Sequence, residues 1–360
     1  MQPIFKPLIV PVFLPHAGCP HRCVFCNQHA ITRAAPGLPP EAELENAIVR
    51  FLSYSPKRHS TIQIAFFGGN FLGQDTAAVK ACLTLAQRFV DDGRVESIRF
   101  STRPDTIDRQ RLDVLAGYRV RTIELGAQSM ADAVLGRSRR GHTAAQTTAA
   151  VKRLKAEGYA VGLQMMVGLP GDTAGRAVES AQRLADLHPD FIRIYPTIVL
   201  KGSLLAAWYH AGRYTPLSLE NAIELVKELY LIFYRNDVPV VRMGLQAAGD
   251  LITDDEVVAG PCHPAFGHLV HAALFLEMAD RLLSHRSRDW ATTTVVLQSH
   301  PRSVSKLNGL KRGNIEVLRR QYQLRHLAVE SDPFLPEDGL RLRGGEAVVT
   351  YRDLAVRPPS

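Results

Sequence analysis

The sequence has few cysteines and no long apolar segment. Its 360 residues include five cysteines, too few and too unevenly spaced for the disulfide framework of a secreted domain. No uninterrupted apolar run approaches the ~18 residues that a membrane-spanning helix requires. The apolar start of the chain is interrupted by Pro7, Pro11 and Pro15 and lacks the features of a signal peptide. These absences predict a soluble cytoplasmic protein, with no membrane partner, whose thiols stay reduced.

Internal repeats and low-complexity tracts are also absent, and the overall composition is that of a globular chain. Hydrophobic residues make up 46% and charged residues 22%, which excludes extended disorder and a fibrous repeat. The formal net charge is +8, and most of this excess falls between Arg286 and Arg325, where nine basic residues stand against Asp289 and Glu316. Such a local concentration of positive charge favours a nucleic-acid surface.

Strand-like and helix-like segments alternate over about the first two thirds of the chain. Six apolar segments predict strands, each followed by a helical pattern. They are Ile9–Leu14, Thr61–Phe67, Ser97–Thr102, Thr122–Leu125, Ala160–Val167 and Phe191–Val199. This alternation predicts an α/β fold with parallel strands and helices outside. Three folds have this alternation: a full eight-unit barrel, a partial barrel and a doubly wound sheet. In each of them the functional site lies just after the ends of the strands.

The pattern divides the chain into three segments. We predict an α/β barrel over residues 1–250, a helical connection packed on it over 251–285, and a small basic α+β domain over 286–360. The last segment has the order strand, helix, helix, strand, and resembles a KH module, whose glycine loop between two helices clamps the RNA backbone. Its loop, Gly309 to Gly313, is one residue longer than a KH loop. Lys306, Lys311 and Arg312 are therefore predicted RNA contacts, and the alternative is a generic cap kept soluble by its charges.

Three of the five cysteines form one cluster. Cys19, Cys23 and Cys26 have the spacing C-x3-C-x2-C. Three thiolates from one loop can bind three irons of a 4Fe–4S cluster and leave the fourth iron without a protein ligand. The alternative is a zinc site with a nearby histidine as fourth ligand, the candidates being His16, His21 and His29. Zinc modules usually pair two C-x2-C knuckles, and the chain has one, so the spacing favours iron and sulfur.

The cysteine loop and several further segments resemble the radical S-adenosylmethionine (SAM) superfamily, in the branch that contains the catalytic subunit of Elongator. The segments occur in the family's order. They are FGGNF at 67–71, STRPD at 101–105, ELGAQS at 124–129, RGHT at 140–143, MMVGLPG at 165–171, RIYP at 193–196, VLKG at 199–202 and RMGLQ at 242–246. The resemblance implies a partial (β/α)6 barrel with a 4Fe–4S cluster and SAM as cofactors. One electron from the cluster then cleaves SAM to a 5′-deoxyadenosyl radical.

Two features depart from the Elongator subunit. That protein has a wider gap between its first two cysteines, and it carries an acetyltransferase domain after the barrel, for which too few residues remain here. The resemblance therefore implies the radical machinery, and it gives the reaction product only by analogy.

The resemblance also assigns cofactor contacts to residues that follow the predicted strands. Gly68, Gly69 and Asn70 are expected at the methionine amino group of SAM, because glycines let backbone carbonyls approach a cation closely. Arg103 is expected to hold the SAM carboxylate through a bidentate pair. The remaining expected SAM contacts are Ser101, Glu124, Gln128, Gln164 and Gly168.

Three of these residues have particular expected positions. Glu124 lies between two apolar residues, so alternation places it inside the barrel with the SAM ribose or Arg103 as partner, and an outward orientation is the alternative. Gln164 is expected to reach the ribose hydroxyls, and Gly168 to shape the loop beside the adenine. Lys201, just past the sixth strand, is the candidate catalytic residue for a phosphate or acyl intermediate, with a solvated lysine as the alternative.

Arg140 belongs to a basic loop at the predicted barrel rim and is a candidate RNA phosphate contact. Together these expectations describe a radical SAM enzyme that acts on RNA, with tRNA as substrate and a flavodoxin or ferredoxin as electron donor. One alternative is a radical SAM enzyme on a small molecule such as a coproporphyrinogen, whose binding is less sensitive to salt than that of RNA. The other is a non-catalytic protein that binds a cluster or RNA.

Overall fold

The computed structural model describes residues 7–14, 17–27, 39–54, 61–245, 256–284 and 294–355. Its largest element is a seven-stranded sheet in which all neighbouring strands are parallel. The strands, in order across the sheet, are β1 (Leu8–Phe13), β2 (Ile62–Phe67), β3 (Ser97–Thr102), β4 (Val120–Gln128), β5 (Ala160–Val167), β6 (Phe191–Pro196) and β8 (Val240–Met243). Their order follows the chain, which excludes the doubly wound arrangement because that order reverses at a switch point.

One face of the sheet is apolar and covered by helices. Ile64, Phe100, Ile123, Leu163 and Ile192 are fully buried there and share one core with the helices. The connections between the strands contain α1 (Glu41–Ser53), α2 (Thr76–Asp91), α3 (Arg109–Asp113), α4 (Asp132–Arg137), α5 (Ala144–Ala156), α6 (Ala174–Ala185), α7 (Leu204–His210) and α8 (Leu219–Arg235). Because side chains alternate along a strand, the opposite face carries the residues between these apolar ones.

That opposite face is the inner wall of a partial barrel. The guanidinium of Arg193 on β6 lies 5.3 Å from the ring centre of Phe67 on β2, and that of Arg99 on β3 lies 5.2 Å from the ring centre of Phe191 on β6. Strands four places apart in a flat sheet would be about 19 Å apart. The sheet is therefore curled, and the predicted partial barrel is confirmed.

Six of the described helices begin at a polar residue whose side chain caps the first turn. Asp75, Asp108, Thr143, Thr173, Ser203 and Ser218 each accept a hydrogen bond from a backbone N–H of the first turn. Such caps satisfy donors that have no partner inside the helix. Thr143 and Gln146 form a reciprocal capping box at the start of α5.

Two predicted elements differ from the structure. The helical pattern after the third predicted strand is a short 3-10 turn (Pro104–Thr106) followed by α3, because Asp108 caps a new helix there. The strand expected to reach Val199 ends at Pro196, where the N–H and hydroxyl of Thr197 both donate to the carbonyl of Val167. The chain then forms β7 (Val199–Leu200), which pairs antiparallel with β9 (Val257–Ala259).

The C-terminal region forms a second core around its own sheet. Its elements are α9 (Phe266–Ser284), β10 (Thr294–Ser299), α10 (Val304–Asn308), α11 (Gly313–Gln321), β11 (His326–Ser331), β12 (Gly339–Leu342), β13 (Val348–Thr350) and α12 (Tyr351–Ala355). The strand order is β11-β10-β12-β13, with β10 and β11 parallel. The predicted order of strand, helix, helix and strand is present, and β12, which sequence patterning missed, is an additional strand with charged Arg341 within it.

Helix α9 joins the two cores. Phe266 and Val270 pack in the barrel core, whereas Leu274, Phe275 and Met278 pack in the C-terminal core. The described part of the predicted helical connection contains β9 as well as α9. None of the helices in the described ranges combines the length and apolar character needed to span a bilayer.

Candidate functional site

The cysteine loop lies so close to the turn after β2 that glycine is required at the contact. Gly18 has φ +71°, and a Cβ added there would lie 2.6 Å from the backbone carbon of Gly73. A Cβ on Gly69 would lie 2.6 Å from the carbonyl oxygen of Ala17. The N–H of Asn70 donates to that same oxygen at 2.8 Å. These contacts fix the start of the cysteine loop to the end of β2.

The side chain of Asn70 is fully buried and connects the cysteine loop to β3. Its Nδ2 donates to the carbonyl oxygen of Gly18 at 2.9 Å. Its Oδ1 accepts from Thr102 Oγ1 at 2.7 Å and from the N–H of Arg103 at 3.0 Å. The amide therefore holds the loop in place, so the predicted contact of this turn with SAM falls to the backbone of Gly68, Gly69 and Asn70.

The second half of the cysteine loop is held by two further connections. Val24 is fully buried; its N–H donates to the carbonyl of Ser138 at 3.2 Å, and its carbonyl accepts from the N–H of Leu205 at 2.8 Å. Asn27 donates from Nδ2 to the carbonyl of Lys201 at 2.5 Å. The segment that carries all three cysteines is thus anchored after β2, after β4 and after β7.

Arg140 lies inside the site and faces a cysteine. Its Nη1 donates to Cys23 Sγ at 3.3 Å, and its Nη2 donates to the carbonyl of Gly126 at 2.7 Å. Its own carbonyl accepts from Arg103. Only 8% of the residue is exposed and its guanidinium is bound within the site, which disfavours the predicted contact of Arg140 with an RNA phosphate. The neighbouring Arg139 is exposed.

Arg103 is also buried, and Asp105 occupies one edge of its guanidinium. Nε and Nη2 of Arg103 donate to Oδ1 and Oδ2 of Asp105, both at 2.9 Å. The bidentate geometry that the sequence assigned to the SAM carboxylate is therefore formed within the chain. Any carboxylate of SAM at Arg103 would have to share the guanidinium with Asp105.

Glu124 lies on the inner wall, as alternation predicts, but its partners are Arg99 and Arg193 instead of Arg103. Arg99 Nε donates to Glu124 Oε1 at 3.0 Å, and Arg193 Nε lies 2.8 Å from Glu124 Oε2. Arg99 also donates from Nη1 to Gln63 Oε1 at 3.1 Å. Sequence reasoning assigned no role to either arginine. The available signal was alternation, because each arginine lies between two buried isoleucine or phenylalanine residues of its strand.

A β-bulge brings two predicted SAM contacts together on the inner wall. The register between β4 and β5 shifts between Gly126 and Gln128, and Gln128 has φ +64°. Gln164 Nε2 then donates to Gln128 Oε1 at 3.4 Å. Ser101 is in register with Glu124 and so belongs to the same wall. Bulges commonly redirect a side chain near a functional site.

The turn after β5 is rigid around Gly168, which has φ +75°. Its N–H donates to Asp172 Oδ2 at 3.2 Å, and its carbonyl accepts from the hydroxyl of Tyr214 at 2.7 Å. Burial raises the pKa of Asp172 to about 6. This turn closes the barrel mouth beside β5 in a fixed shape.

Lys201 and the predicted RNA contacts have different surroundings. Lys201 is exposed, and its backbone rather than its ammonium group touches the cysteine loop. Lys311 and Arg312 are exposed, with φ +50° and +63°. Lys306 lies half-buried on α10. Lys306, Lys311 and Arg312 thus belong to the C-terminal domain, which has its own hydrophobic core and is separate from the inner wall of the barrel.

The donor chemistry of the cysteine loop fits an iron–sulfur cluster. Burial raises the pKa of the Cys19 thiol, and the nearby Cys23 raises it further. Arg140 and Arg103 act in the opposite direction, since their positive charge favours thiolate. Within the described ranges, no group of three His, Cys, Asp or Glu side chains is arranged around one metal position. The features that fit a cluster are therefore the three thiols on one anchored loop and the buried guanidinium of Arg140 beside Cys23.

The alternative of a zinc site depends on a nearby histidine as fourth ligand. His16 and His29 lie outside the described residues. His21 is exposed, and its ring packs against Gly141.

Comparison with known families covers the barrel and part of α9. The model of the radical SAM superfamily matches residues 13–184, and that of the radical SAM C-terminal domain matches residues 189–275. These ranges include the cysteine loop, the inner wall and the first half of α9.

Several known proteins are similar to this chain. An uncharacterised protein of Methanocaldococcus jannaschii is 28% identical over 62% of this chain and 70% of its own length. A tRNA uridine(34) acetyltransferase of the same organism is 26% identical over 61% of this chain and 47% of its own length. The structure of Methanocaldococcus infernus Elp3 with an N-terminal deletion has a TM-score of 0.59 and 22% identity, over 74% of this chain and 62% of that one, which shows the shared fold. The chain belongs to the radical SAM superfamily, in the branch that resembles the catalytic subunit of Elongator.

Proposed function

We propose that this radical SAM enzyme modifies RNA, with tRNA as its substrate. The observation that carries the proposal is the anchored cysteine loop beside a polar inner wall, since a radical SAM reaction needs a cluster next to an enclosed substrate space. Two further observations support RNA. The similar acetyltransferase is named for a tRNA uridine, and the C-terminal domain has an exposed basic loop at Lys311 and Arg312.

In this proposal Cys19, Cys23 and Cys26 would hold a 4Fe–4S cluster. Such a cluster, when bound, supplies the electron that cleaves SAM to a 5′-deoxyadenosyl radical. Arg140 would place a positive charge beside one of these ligands, since its Nη1 lies 3.3 Å from Cys23 Sγ. The anchors at Asn70 and Leu205 would keep the loop in one position during the reaction.

The inner wall and the turns at its rim would bind SAM. The backbone at Gly68 and Gly69 would accept from the methionine amino group, and Ser101, Gln128 and Gln164 would orient the ribose. The turn at Gly168 would lie beside the adenine and exclude water. A closed, dry space protects a reactive radical from side reactions.

The surface residues would position the RNA. Lys306, Lys311 and Arg312 would contact phosphates, which fixes orientation without reading sequence. Lys201, exposed beside the cysteine loop, would contact a phosphate or an acyl group at the barrel mouth. A flavodoxin or ferredoxin would deliver the electron.

The test is an anaerobic assay of SAM cleavage. Purified protein would be reconstituted with iron and sulfide and given dithionite and SAM, and 5′-deoxyadenosine would be quantified with and without bulk tRNA. Product that rises with tRNA is the expected result. Product indifferent to tRNA would favour the small-molecule alternative, and no product from a protein with an intact cluster would favour a non-catalytic role.

Cysteine variants provide the control for the cluster. Replacing Cys19, Cys23 or Cys26 by Ala should abolish the visible absorbance of the cluster and the SAM cleavage. Cys262→Ser changes an exposed cysteine outside the loop and should leave both intact. If the three loop variants kept the wild-type spectrum, the assignment of the ligands would be wrong.

A further inference from the structure

The inner wall of the barrel carries more positive than negative charge. Among the described strand positions on this wall, Arg99, Arg193 and Arg242 are cationic and Glu124 is the single carboxylate. Arg99 and Glu124 are almost fully buried, with 6% and 5% of their side chains exposed. Burial of an uncompensated charge is costly unless an ion of opposite sign accompanies it. The wall as a whole therefore has a deficit of negative charge.

The single negative charge of Glu124 can neutralise one arginine, but two arginines contact it. Arg99 donates to its Oε1 from Nε, and Arg193 donates to the same oxygen from Nη2 at 3.2 Å, with Arg193 Nε 2.8 Å from Oε2. Arg193 retains 13% side-chain exposure, so solvent or a ligand can reach it. Its Nη1 lies 3.5 Å from the hydroxyl of Tyr195, a weak contact at best. Arg193 Nη1 is therefore the part of the guanidinium that Glu124 leaves for a ligand.

Arg242 lies beside Arg193 on the neighbouring strand. The two residues are direct partners in the parallel register of β6 and β8. Their neighbours Ile194 and Met243 pack toward the helices, so both arginines lie on the inner side. Like charges at adjacent strand positions repel each other. Two guanidinium groups at this spacing can instead bind one phosphate or carboxylate, with parallel N–H donors on its oxygens.

This arginine pair lies in the same layer as residues around the cysteine loop. Arg193 is in register with Gln164, and Gln164 is in register with Gly126. The carbonyl of Gly126 accepts from Arg140, which in turn donates to Cys23. A group bound at Arg193 would therefore lie on the wall that faces the cluster loop.

The surroundings of Arg193 favour a nucleotide. The guanidinium lies over the ring of Phe67, whose centre is 6.3 Å from that of Phe13. Aromatic rings beside a cationic oxyanion site suit a planar base next to its phosphate. β8 is the edge strand of the sheet among the described strands, and Arg242 is exposed there, so a ligand can reach its side chain.

We propose that Arg193 and Arg242 form an oxyanion subsite that holds a phosphate of the nucleotide to be modified. This inference rests on the proposed function, because it names the part of the RNA that the barrel takes. The same chemistry would serve the carboxylate of an acyl co-substrate, so the experiment must distinguish phosphate from carboxylate.

Binding without turnover tests the subsite. Full-length, cluster-loaded protein without reductant would be titrated calorimetrically with the four nucleoside 5′-monophosphates, with the matching nucleosides and with malonate. Arg193→Gln and Arg242→Gln should each weaken monophosphate binding about tenfold or more, the loss expected for one charge-assisted hydrogen bond, and should leave nucleoside binding unchanged. Arg121→Gln is the matched control, because Arg121 is exposed on β4 and 3.6 Å from Glu96; it should bind as the wild type does.

The outcomes separate this inference from the proposed function. Wild-type affinity for monophosphates and malonate in Arg242→Gln would overturn the subsite, and this variant decides the matter even if Arg193→Gln folds poorly. If the variants lost affinity for malonate but kept it for the monophosphates, the arginine pair would be a carboxylate site. The proposal that it holds a nucleotide phosphate would then be wrong. Loss of monophosphate binding in a protein whose SAM cleavage ignores tRNA would uphold the subsite and reject RNA as the substrate.

Discussion

Arg140 and Cys23 are 117 positions apart in the chain, and their side chains meet at 3.3 Å between Nη1 and Sγ. Arg140 is almost fully buried, so no solvent screens its charge from the sulfur. A cation and a hydrogen bond at a cluster sulfur stabilise the more negative, reduced state. The position of this arginine therefore bears directly on how easily a bound cluster is reduced.

We expect Arg140→Met to lower the reduction potential of the reconstituted cluster, because the substitution removes both the charge and the hydrogen bond at Cys23. A redox titration followed by electron paramagnetic resonance would measure it. Arg139→Met is the matched control, since Arg139 is adjacent and exposed, and its potential should equal that of the wild type. Equal potentials in all three proteins would contradict a role of Arg140 at the cluster.

Gly18→Ala should prevent the cysteine loop from reaching its place. The added methyl group would overlap the backbone of the turn that contains Gly73. Gly93→Ala imposes similar left-handed strain, with φ +69° against +71°, but meets no atom within 4 Å. Iron content after reconstitution should fall steeply in Gly18→Ala and stay near the wild-type value in Gly93→Ala. A common loss in both variants would mean that backbone strain, and not the contact, decides cluster assembly.

Glu124→Gln should destabilise the barrel by about 3–5 kcal/mol, the usual result of breaking a buried ion pair on one side. Arg99 and Arg193 would then both lack their carboxylate. Urea unfolding would measure the change. Glu96→Gln removes a partly exposed carboxylate 3.6 Å from Arg121 and should change the free energy of unfolding by less than about 1 kcal/mol. Similar values for the two variants would show that the inner network contributes little.

The paired change of Lys311 and Arg312 to Glu should weaken tRNA binding and reduce its dependence on salt. Each lost phosphate contact lowers the slope of log K against log salt by about 0.7–0.9. Lys152 and Arg153 offer a matched pair, both exposed on the outer helix α5. Fluorescence anisotropy with labelled tRNA at several salt concentrations would compare the two double variants. An equal loss of affinity in both would point to net charge alone.

The strands, the curled parallel sheet and the inward position of Glu124 could be predicted, because they depend on local alternation and on the residues that end each strand. The partners of Glu124 could not. The register of neighbouring strands decides which arginine lies beside a given carboxylate. That register shifts at the bulge between Gly126 and Gln128.

For a different reason, the burial of Arg140 could not be predicted. The residue stands in a run of basic residues, a pattern typical of solvated surface. Arg139, however, has φ +53°, and this left-handed residue turns the chain so that consecutive arginines point in different directions. A single backbone dihedral, which no composition rule encodes, separates the exposed arginine from the buried one.

Helix α9 has a consequence for how a polymer could be handled. Asn314, which directly follows the basic loop of the C-terminal domain, donates to the carbonyl of Ala272 at 2.8 Å, and Ala272 lies two residues beyond Val270 in the barrel core. The end of the loop is therefore bound directly to the helix that also packs in the barrel core. With the loop joined to the barrel in this way, an RNA strand bound at Lys311 would place in the barrel the nucleotide that lies one fixed distance along the strand from Lys311. The position to be modified would then be selected by its distance from the bound phosphate and by the shape of the RNA, with little recognition of base identity.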